Sequence, residues 1–354
     1  MRRVRSGVAL AELTTLRVGG PAARLVTADS AAGIASTVAD ADAAGEPVLL
    51  LGGGSNLVVA DEGWPGLVVL LRSRGVEARR DGAEARLTVQ AGEPWDDLVA
   101  GVVADGLAGV ECLAGIPGLA GATPVQNVGA YGQEVSQTIT AVRVWDRPAG
   151  AVRDLAPAEC GFRYRDSVFK HSDRYVVLSV TFALAARPPS RPLSEPIRYA
   201  ELAAALGIAV GERAKLGEVR DAVLGLRRGK GMVLDPDDPD TTSVGSFFTN
   251  PVLSPGELAE FEARLPPATG YRSWPAEDGG TKLSAAWLIE QSGFGRGYGH
   301  GRVRLSTKHT LAVTNRGGAR TAEILALARE IRDEVLARFG VLLSPEPLLV
   351  GVTL

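Results

Sequence analysis

The sequence contains few of the side chains on which metal sites and nucleophilic catalysis usually depend. Among its 354 residues there are 2 cysteines and 3 histidines. Cys112 and Cys160 are too few for a disulfide framework, so we expect both to be small buried apolar residues. His171, His300 and His309 provide little for a Ser-His-Asp triad or a histidine-rich metal site. We expect no bound metal.

Strong charge of one sign and long apolar runs are also missing. The formal net charge is −3, which gives no sign of a nucleic-acid-binding surface. No apolar run approaches membrane-spanning length, and the basic stretch Met1–Arg5 is not followed by the apolar segment of a signal peptide. Hydrophobic residues make up 45% of the chain and charged residues 22%, the balance of globular proteins. We expect a cytoplasmic protein of two or three domains, with no membrane and no nucleic-acid partner.

The two common nucleotide-binding fingerprints are absent, although glycine is abundant. Neither G-x-G-x-x-G nor G-x-x-x-x-G-K-[ST] occurs. The run Gly115–Gly132 instead combines glycines with Pro117 and Pro124, so its conformation is specified although it lacks helical or strand periodicity. It is either a backbone cradle whose N–H groups surround a diphosphate or the polar edge of a ring system, or a packed surface loop.

A second glycine segment favours the cradle. Leu49–Leu51 has the pattern of a short buried strand, and it breaks into Gly52-Gly53-Gly54-Ser55-Asn56 before another apolar run, Leu57–Val59. A strand, a glycine turn and a strand form a phosphate cradle without a helix. The dinucleotide fingerprint differs because it requires a helix at this point.

The remaining patterns alternate between helix and strand. Strands are predicted over Ala23–Thr27, Leu67–Leu71, Arg86–Ala91, Ile139–Asp146, Tyr175–Leu184, Thr310–Thr314 and Leu348–Val352. Helices are predicted over Ser30–Ala44 with Asp29 as N-cap, Pro94–Ala104, Tyr199–Leu206, Leu216–Arg228, Pro255–Leu265, Lys282–Gln291 and Arg320–Phe339.

Three further segments are predicted to be irregular. Arg187–Pro192 is a break in composition and indicates a linker or an excursion. An acidic loop, which we expect to be solvated, contains Asp235, Asp237, Asp238 and Asp240. Gly293–Gly301 is predicted to be a mobile turn, with substrate contact as the alternative.

Both glycine segments together resemble the FAD-binding domain of the vanillyl-alcohol-oxidase-like superfamily. The resemblance continues, in the same order along the chain, through Tyr164–Ser167 with Phe169 and Lys170, then Gly245–Pro251, and finally Pro345-Glu346. Within the superfamily these motifs are most similar to the UDP-N-acetylenolpyruvoylglucosamine reductase family. The implied fold class is α+β: a two-subdomain FAD-binding fold of the vanillyl-alcohol-oxidase type plus a C-terminal α+β substrate-binding domain.

The resemblance implies domain limits and an FAD site. It implies a first FAD-binding subdomain over 1–72, with 341–354 as a candidate return to it, a second over 73–228 that includes an excursion with Tyr199, and a substrate-binding domain over 229–340. Relatives in the superfamily often attach FAD through an N-terminal histidine, and no histidine precedes His171, so FAD should be held non-covalently. The implied cofactor-binding residues are Gly52, Gly53, Gly54, Ser55, Asn56, Gly115, Ile116, Pro117, Gly118, Gly121, Ala122, Thr123, Gln126, Asn127, Gly129, Ala130 and Tyr131.

The implied reaction needs three catalytic groups. NADPH as co-substrate would reduce FAD, and hydride would then add to the enolpyruvyl ether of UDP-N-acetylglucosamine enolpyruvate to give UDP-N-acetylmuramate for peptidoglycan. Arg165 corresponds to the family's catalytic arginine, and a guanidinium can grip a carboxylate through two hydrogen bonds. Ser246 corresponds to the proton donor and Glu346 to the glutamate that assists at the enol intermediate. For Ser246, the alternative is a turn serine beside two core aromatic residues.

Four residues are candidates for binding the UDP-sugar. The resemblance implies this role for Tyr199, Lys230 and Asn250, and Lys282 is the weaker candidate because a solvated side chain at a helix start is the default. A tyrosine that packs on the first helical turn is the alternative for Tyr199. Two other functions stay open, a flavin-dependent sugar or alcohol oxidase and a non-catalytic flavin or UDP-sugar binder. A monomer is expected.

Overall fold

The computed structural model describes residues 4–267, 269–276 and 279–354, so the first three residues of the basic N-terminal stretch lie outside the described residues. The described part contains seven α-helices, α1 (Ala31–Ala43), α2 (Trp95–Ala104), α3 (Ala200–Leu206), α4 (Leu216–Gly229), α5 (Pro255–Ala263), α6 (Ala285–Gln291) and α7 (Thr321–Phe339). Its strands are β1 (Val4–Arg5), β2 (Val8–Ala9), β3 (Pro21–Ala28), β4 (Val48–Leu51), β5 (Leu57–Val59), β6 (Trp64–Leu71), β7 (Val76–Asp81), β8 (Glu84–Gln90), β9 (Leu107–Ala108), β10 (Gly129–Ala130), β11 (Gln133–Glu134), β12 (Ile139–Asp146), β13 (Ala151–Leu155), β14 (Tyr175–Ala186), β15 (Val252–Leu253), β16 (Ser273–Pro275), β17 (Thr281–Leu283), β18 (Gly299–His300), β19 (Val303–Leu305), β20 (Val313–Asn315) and β21 (Leu348–Val350).

The chain forms two compact units. The first comprises Met1–Val8, Ala22–Gly54 and Pro65–Val233, and the second Ala9–Pro21, Ser55–Trp64 and Leu234–Leu354.

The first unit contains two large sheets and the two-stranded sheet β10-β11. One has the order β1-β3-β6-β4 with β2 against β3, and its β4 and β6 are parallel. The other has the order β13-β12-β14-β8-β7, with β9 also paired to β14, and its strands are antiparallel. Helix α1 packs Ile34 and Val38 into the apolar cluster of the first sheet, and α2 packs Trp95 and Val99 into that of the second. Burial of these apolar side chains is the main source of the unit's stability.

The second unit has a core of aromatic and aliphatic side chains. Helix α7 contributes residues at helical spacing, including Ile324, Ile331 and Val335, and these pack with Phe261 and Leu288. Around them lie the sheets β15-β17-β16 and β18-β19-β20. The last strand, β21, pairs in parallel with β5. The chain therefore ends beside the strand that follows the first glycine turn.

Most predicted elements are confirmed, and four predictions are wrong. Gly299–His300, inside the predicted turn Gly293–Gly301, forms β18. The N-cap of α1 is Ser30 rather than Asp29, because the Ser30 hydroxyl accepts a hydrogen bond from the Gly33 N–H at 3.2 Å. Lys282 lies on β17 and not on a helix, because Ser284 caps α6 two residues later. The acidic loop is not uniformly solvated, since Asp240 is 3% exposed and forms an ion pair with Arg316.

Candidate active site

The first glycine turn contacts the second glycine-rich segment. As predicted, β4 ends at Leu51 and β5 begins at Leu57, with the turn between them. A Cβ on Gly53 would lie 2.9 Å from the Cα of Gly118. A side chain at position 53 would therefore displace backbone, which explains the need for glycine where the two segments meet.

Several backbone donors at this contact have no protein acceptor. In the described part of the chain, no hydrogen bond is formed by the N–H groups of Gly53, Ile116 and Gly118. Unbonded N–H groups on adjoining glycine turns form the type of concave site that binds phosphate oxygens. These residues therefore fit the diphosphate of FAD.

Other members of the predicted cofactor-binding set shape the loop instead of offering their N–H groups. The N–H of Gly121 donates to the carbonyl of Ala91 at 2.9 Å, and that of Thr123 to the carbonyl of Ala120 at 3.1 Å. The Asn127 amide donates to Glu134 at 2.7 Å and to the carbonyl of Arg163 at 3.1 Å. The loop is therefore held by its own hydrogen bonds, which leaves the Gly53 and Gly118 contact as its donor-rich end.

Arg165 is held in a strained backbone conformation. Its φ is +55°, in the left-handed region that costs a non-glycine residue roughly 1–2 kcal/mol. Its Nη2 donates to the carbonyl of Gly129 at 2.6 Å, and its Nη1 lies 3.8 Å from the Glu134 carboxylate. The ammonium of Lys170 donates to the Arg165 carbonyl at 2.9 Å. These contacts fix one guanidinium beside the glycine-rich loop, as a gripping group requires.

Two predicted substrate-binding residues meet at Tyr131. The ring of Tyr199, which is 39% exposed, lies edge-on to the Tyr131 ring at 5.5 Å between centroids. The Lys230 ammonium lies 5.4 Å from the centre of the Tyr131 ring and forms an ion pair with Glu201 at 2.6 Å. Burial raises the pKa of the Tyr131 phenol to about 12, so this ring stays neutral in its cluster.

In the second unit, the Ser246 and Glu346 segments are antiparallel neighbours. The Glu346 N–H donates to the carbonyl of Phe247 at 2.9 Å, and Phe248 forms a bridge with Pro345. Phe247 and Phe248 are buried, and their ring centroids lie 5.2 Å apart. The alternative interpretation of this motif predicted two core aromatic residues here. Ser246 therefore precedes two buried aromatic residues that lie beside the Glu346 segment.

The other predicted residues of the second unit lie around this pair of segments. The Asn56 amide lies 3.4 Å from the carbonyl of Glu346. The side-chain oxygen of Asn250 accepts a hydrogen bond from the Ala285 N–H at 2.9 Å at the start of α6. Lys282 of β17 pairs with Val252 of β15, and Val252 lies two residues after Asn250. Asn250 and Lys282 are thus brought together, although the sequence predicted the wrong element for Lys282.

The chain is similar to known proteins over nearly its whole length. The C-terminal domain model of UDP-N-acetylenolpyruvoylglucosamine reductase matches residues 237–350, and the FAD binding domain model matches residues 22–156. The UDP-N-acetylenolpyruvoylglucosamine reductase of Thermobifida fusca is 55% identical over 352 residues, covering 98% of each chain. That of Salinispora arenicola is 56% identical over 349 residues, covering 98% of this chain and 95% of its own.

The chain belongs to the UDP-N-acetylenolpyruvoylglucosamine reductase family. It is an FAD-containing oxidoreductase. A solved reductase from Thermus caldophilus superposes with a TM-score of 0.67 at 26% identity, covering 99% of this chain and 100% of that one. The predicted family and α+β FAD-binding fold are confirmed.

Arg227 and Trp274 lie beside predicted site residues of this reductase-family chain, although the sequence predicted neither as part of the site. Arg227 is buried beside Gly115, its Nε has no hydrogen-bond partner among the described residues, and burial lowers its pKa. Its sequence signal was a basic residue in the last turn of α4, three positions before Lys230. Trp274, 42% exposed, pairs with Lys282 on the opposite side from Val252, so the three form one row across the sheet. The predicted helix at Lys282 concealed that row.

The remaining sequence expectations concern cysteines, metals and membranes. Cys112 and Cys160 are buried and unpaired, as predicted, and burial raises the pKa of the Cys160 thiol to about 11. Among residues 4–267, 269–276 and 279–354, no group of three or more His, Cys, Asp or Glu side chains could hold a metal ion. No helix within these described ranges is long and apolar enough to cross a bilayer.

Proposed function

We propose that this reductase-family chain converts UDP-N-acetylglucosamine enolpyruvate to UDP-N-acetylmuramate with NADPH as reductant. We propose that the residues described above bind the cofactor and the substrate and catalyse the reaction. FAD, when bound, would supply the hydride chemistry, with NADPH as the source of the hydride and the methylene carbon of the enolpyruvyl ether as its acceptor. The product belongs to the synthesis of peptidoglycan precursors. We place the activity in the cytoplasm, where UDP-sugars and NADPH are available, and we propose that the protein acts as a monomer.

The glycine turns hold the cofactor without a covalent bond. The N–H groups of Gly53, Ile116 and Gly118 would hold the diphosphate, because unbonded donors stabilise negative charge. The rest of the predicted set, from Gly52 to Asn56 and from Gly115 to Tyr131, supplies the walls of the cradle. We propose that the subdomains 1–72 and 73–228 bind FAD and that the domain 229–340 binds the substrate.

Arg165 stabilises the charge that hydride addition creates. Hydride addition to the methylene carbon sends an electron pair to the neighbouring carbon and its carboxylate. A guanidinium held in place before the reaction stabilises this enolate more than the ground state, which is the condition for faster chemistry. The hydrogen bonds from Arg165 to the loop backbone supply that preorganisation.

Ser246 supplies the proton and Glu346 assists at the enolate. The new C–H bond forms with the proton of the Ser246 hydroxyl, whose oxygen then regains a proton from solvent. A serine hydroxyl is a weak acid, so its position and surroundings must favour this transfer. The observation that carries the proposal is the hydrogen bond from the Glu346 N–H to Phe247, because it makes the two catalytic segments neighbours.

The UDP-sugar is bound by a small set of cations and donors. We assign its diphosphate to Lys230 and Lys282, which supply positive charge, and we assign further contacts to Tyr199 and Asn250. Trp274 offers an exposed ring in the same strand row as Lys282. A planar aromatic beside a lysine suits a nucleotide, since the ring can stack on a base and the lysine can meet a phosphate.

An anaerobic flavin experiment tests this function. The purified protein is reduced with NADPH, UDP-N-acetylglucosamine enolpyruvate is added, and the visible flavin absorbance is followed. Prompt return of the oxidised flavin band is expected. A band that returns only on admission of air would favour an oxidase, and a protein that purifies without flavin would contradict the cradle assignment.

A further inference from the structure

Asp240 is a buried carboxylate that contacts three donor groups from two residues, Thr307 and Arg316. It is 3% exposed, although the acidic loop around it is largely open to solvent. One oxygen accepts a hydrogen bond from the Thr307 N–H at 2.9 Å, and the other accepts from the Thr307 hydroxyl. The guanidinium of Arg316 forms an ion pair with the first oxygen. The carboxylate therefore contacts both ends of the segment 307–316.

The chain that follows Asp240 runs along the same segment until it reaches the proton donor. The Asn315 N–H donates to the carbonyl of Thr242 at 3.0 Å, and Ser243 forms an antiparallel bridge with Thr314. One residue beyond Ser246, the Phe247 N–H donates to the carbonyl of Leu311 at 2.7 Å. The chain from Asp240 to Phe247 is thus hydrogen-bonded to the segment 307–316, and Ser246 directly precedes the last residue of this strip.

Charge explains why a carboxylate occupies this position. Burial alone would raise the pKa of Asp240, but the hydrogen bonds from Thr307 and the Arg316 guanidinium outweigh burial, and the pKa is lowered. An ionised, buried acceptor with several donors forms stronger hydrogen bonds than a neutral one. An amide in its place would leave the Arg316 charge, itself 18% exposed, without its partner.

We propose that Asp240 is a positioning residue for the Ser246 hydroxyl. By holding both ends of the segment 307–316 against the strip 242–247, it fixes the hydroxyl at the point from which the proton is transferred. This inference rests on the proposed role of Ser246 as proton donor. Misplacement of a reacting group by about 1 Å can slow a reaction roughly 100-fold, so the effect should be large on one chemical step.

The test compares the two halves of the reaction in Asp240→Asn. Under anaerobic conditions, reduction of the flavin by NADPH should proceed within about twofold of the wild-type rate. Reoxidation by UDP-N-acetylglucosamine enolpyruvate should slow by about 10- to 100-fold. The solvent deuterium isotope effect on reoxidation should increase, because proton transfer becomes more nearly rate-limiting. A merely structural role would not produce that isotope effect.

A milder variant, Thr307→Val, and a charge control, Asp237→Asn, accompany Asp240→Asn. Thr307→Val removes only the hydroxyl donor to Asp240 and should slow reoxidation less, in the same direction; it serves if Asp240→Asn does not fold. Asp237→Asn makes the same charge change in the exposed part of the loop and should leave both rates unchanged. Equal slowing of both half-reactions, or normal reoxidation in Asp240→Asn and Thr307→Val, would overturn the inference. If Ser246→Ala also reoxidises normally, the role of Ser246 itself fails, and the two failures are distinguishable.

Discussion

A Cβ on Gly53 would lie 2.9 Å from the Cα of Gly118, so the two glycine-rich segments are in backbone contact and position 53 cannot accept a side chain without a shift. Gly53→Ala should therefore open the donor-rich end of the cradle and leave protein that purifies with little FAD. The ratio of visible flavin absorbance to protein absorbance measures this loss directly.

The matched control for the cradle is Gly101→Ala in α2. A Cβ there meets nothing within 4 Å, and alanine in a helix is more stable than glycine by about 0.5–1 kcal/mol. This variant should retain full FAD content and unfold at a slightly higher temperature. Normal FAD content in Gly53→Ala would contradict the cradle.

Arg165→Lys tests whether the guanidinium geometry matters. Lysine keeps the charge but cannot form the planar two-pronged contact with a carboxylate. Reoxidation of reduced flavin by the enolpyruvyl sugar should slow by about 100-fold, the usual cost of removing a preorganised donor from a developing oxyanion. Arg86→Lys, on the exposed face of β8 beside Glu84, is the control and should reoxidise at the wild-type rate. A normal rate in Arg165→Lys would remove Arg165 from the mechanism.

Glu201→Gln tests the competition for Lys230. The Glu201 carboxylate holds the Lys230 ammonium at 2.6 Å, with both side chains partly exposed. In the proposed function, the substrate diphosphate replaces that carboxylate. Removing the charge should tighten binding of UDP by up to about fivefold, the range expected for a partly exposed ion pair. Titration calorimetry with UDP gives the dissociation constant.

Lys230→Met is the companion variant for that measurement. It should weaken UDP binding by about 10- to 100-fold, because a charged hydrogen-bonding partner is lost. Weaker binding in Glu201→Gln would show that the carboxylate orients Lys230 and does not compete with substrate.

Asp146→Asn tests an acid-sensitive element of the first unit. Hydrogen bonds from Arg174, opposed by burial and helped by Arg153, hold the pKa of Asp146 below its usual range. A lowered pKa in the folded state stabilises the fold above the unfolded pKa of about 4, and this contribution is lost as the pH falls through the folded pKa. The free-energy difference between wild type and Asp146→Asn should therefore be greatest near neutral pH and shrink in acid.

Asp154→Asn is the control in the same hairpin. Its partner Arg143 and Asp154 itself are both more than half exposed, so removing this pair should cost about 1 kcal/mol or less. Urea unfolding at several pH values checks both variants. A difference for Asp146→Asn that is constant with pH would show that folding does not lower the pKa of this carboxyl.

Most of the fold could be predicted from the sequence because its elements carry strong local signals. Strand β12 spans the predicted Ile139–Asp146, and Pro94 caps α2 as its position suggested. The glycine turn between β4 and β5 followed from two apolar runs with glycines between them. In each case the deciding information lay within about ten residues.

The errors arose where distant parts of the chain decide the outcome. Lys282 lies in a strand because β15 and β16 pair on either side of it, which helical periodicity cannot show. Asp240 is buried because Thr307 and Arg316, more than sixty residues later, provide donors for it. Local composition predicted a solvated acidic loop, and long-range pairing made one of its members part of the core.

The site could be predicted residue by residue only through the resemblance. Periodicity and spacing could not separate Ser246 from a turn serine or Arg165 from the other arginines of the chain. The register between the Ser246 and Glu346 segments, and the positive φ of Arg165, are consequences of folding that no local pattern contains.

The measurement that tests the central claim most directly is the pair of half-reaction rates in Ser246→Ala, with Ser292→Ala in the second unit as a control that should match wild type. Reduction of the flavin by NADPH should stay near the wild-type rate, because no proton from Ser246 is needed. Reoxidation by UDP-N-acetylglucosamine enolpyruvate should slow by about 100-fold or more, which is the range for loss of a general acid. Equal slowing of both rates, or reoxidation at the wild-type rate, would contradict the account.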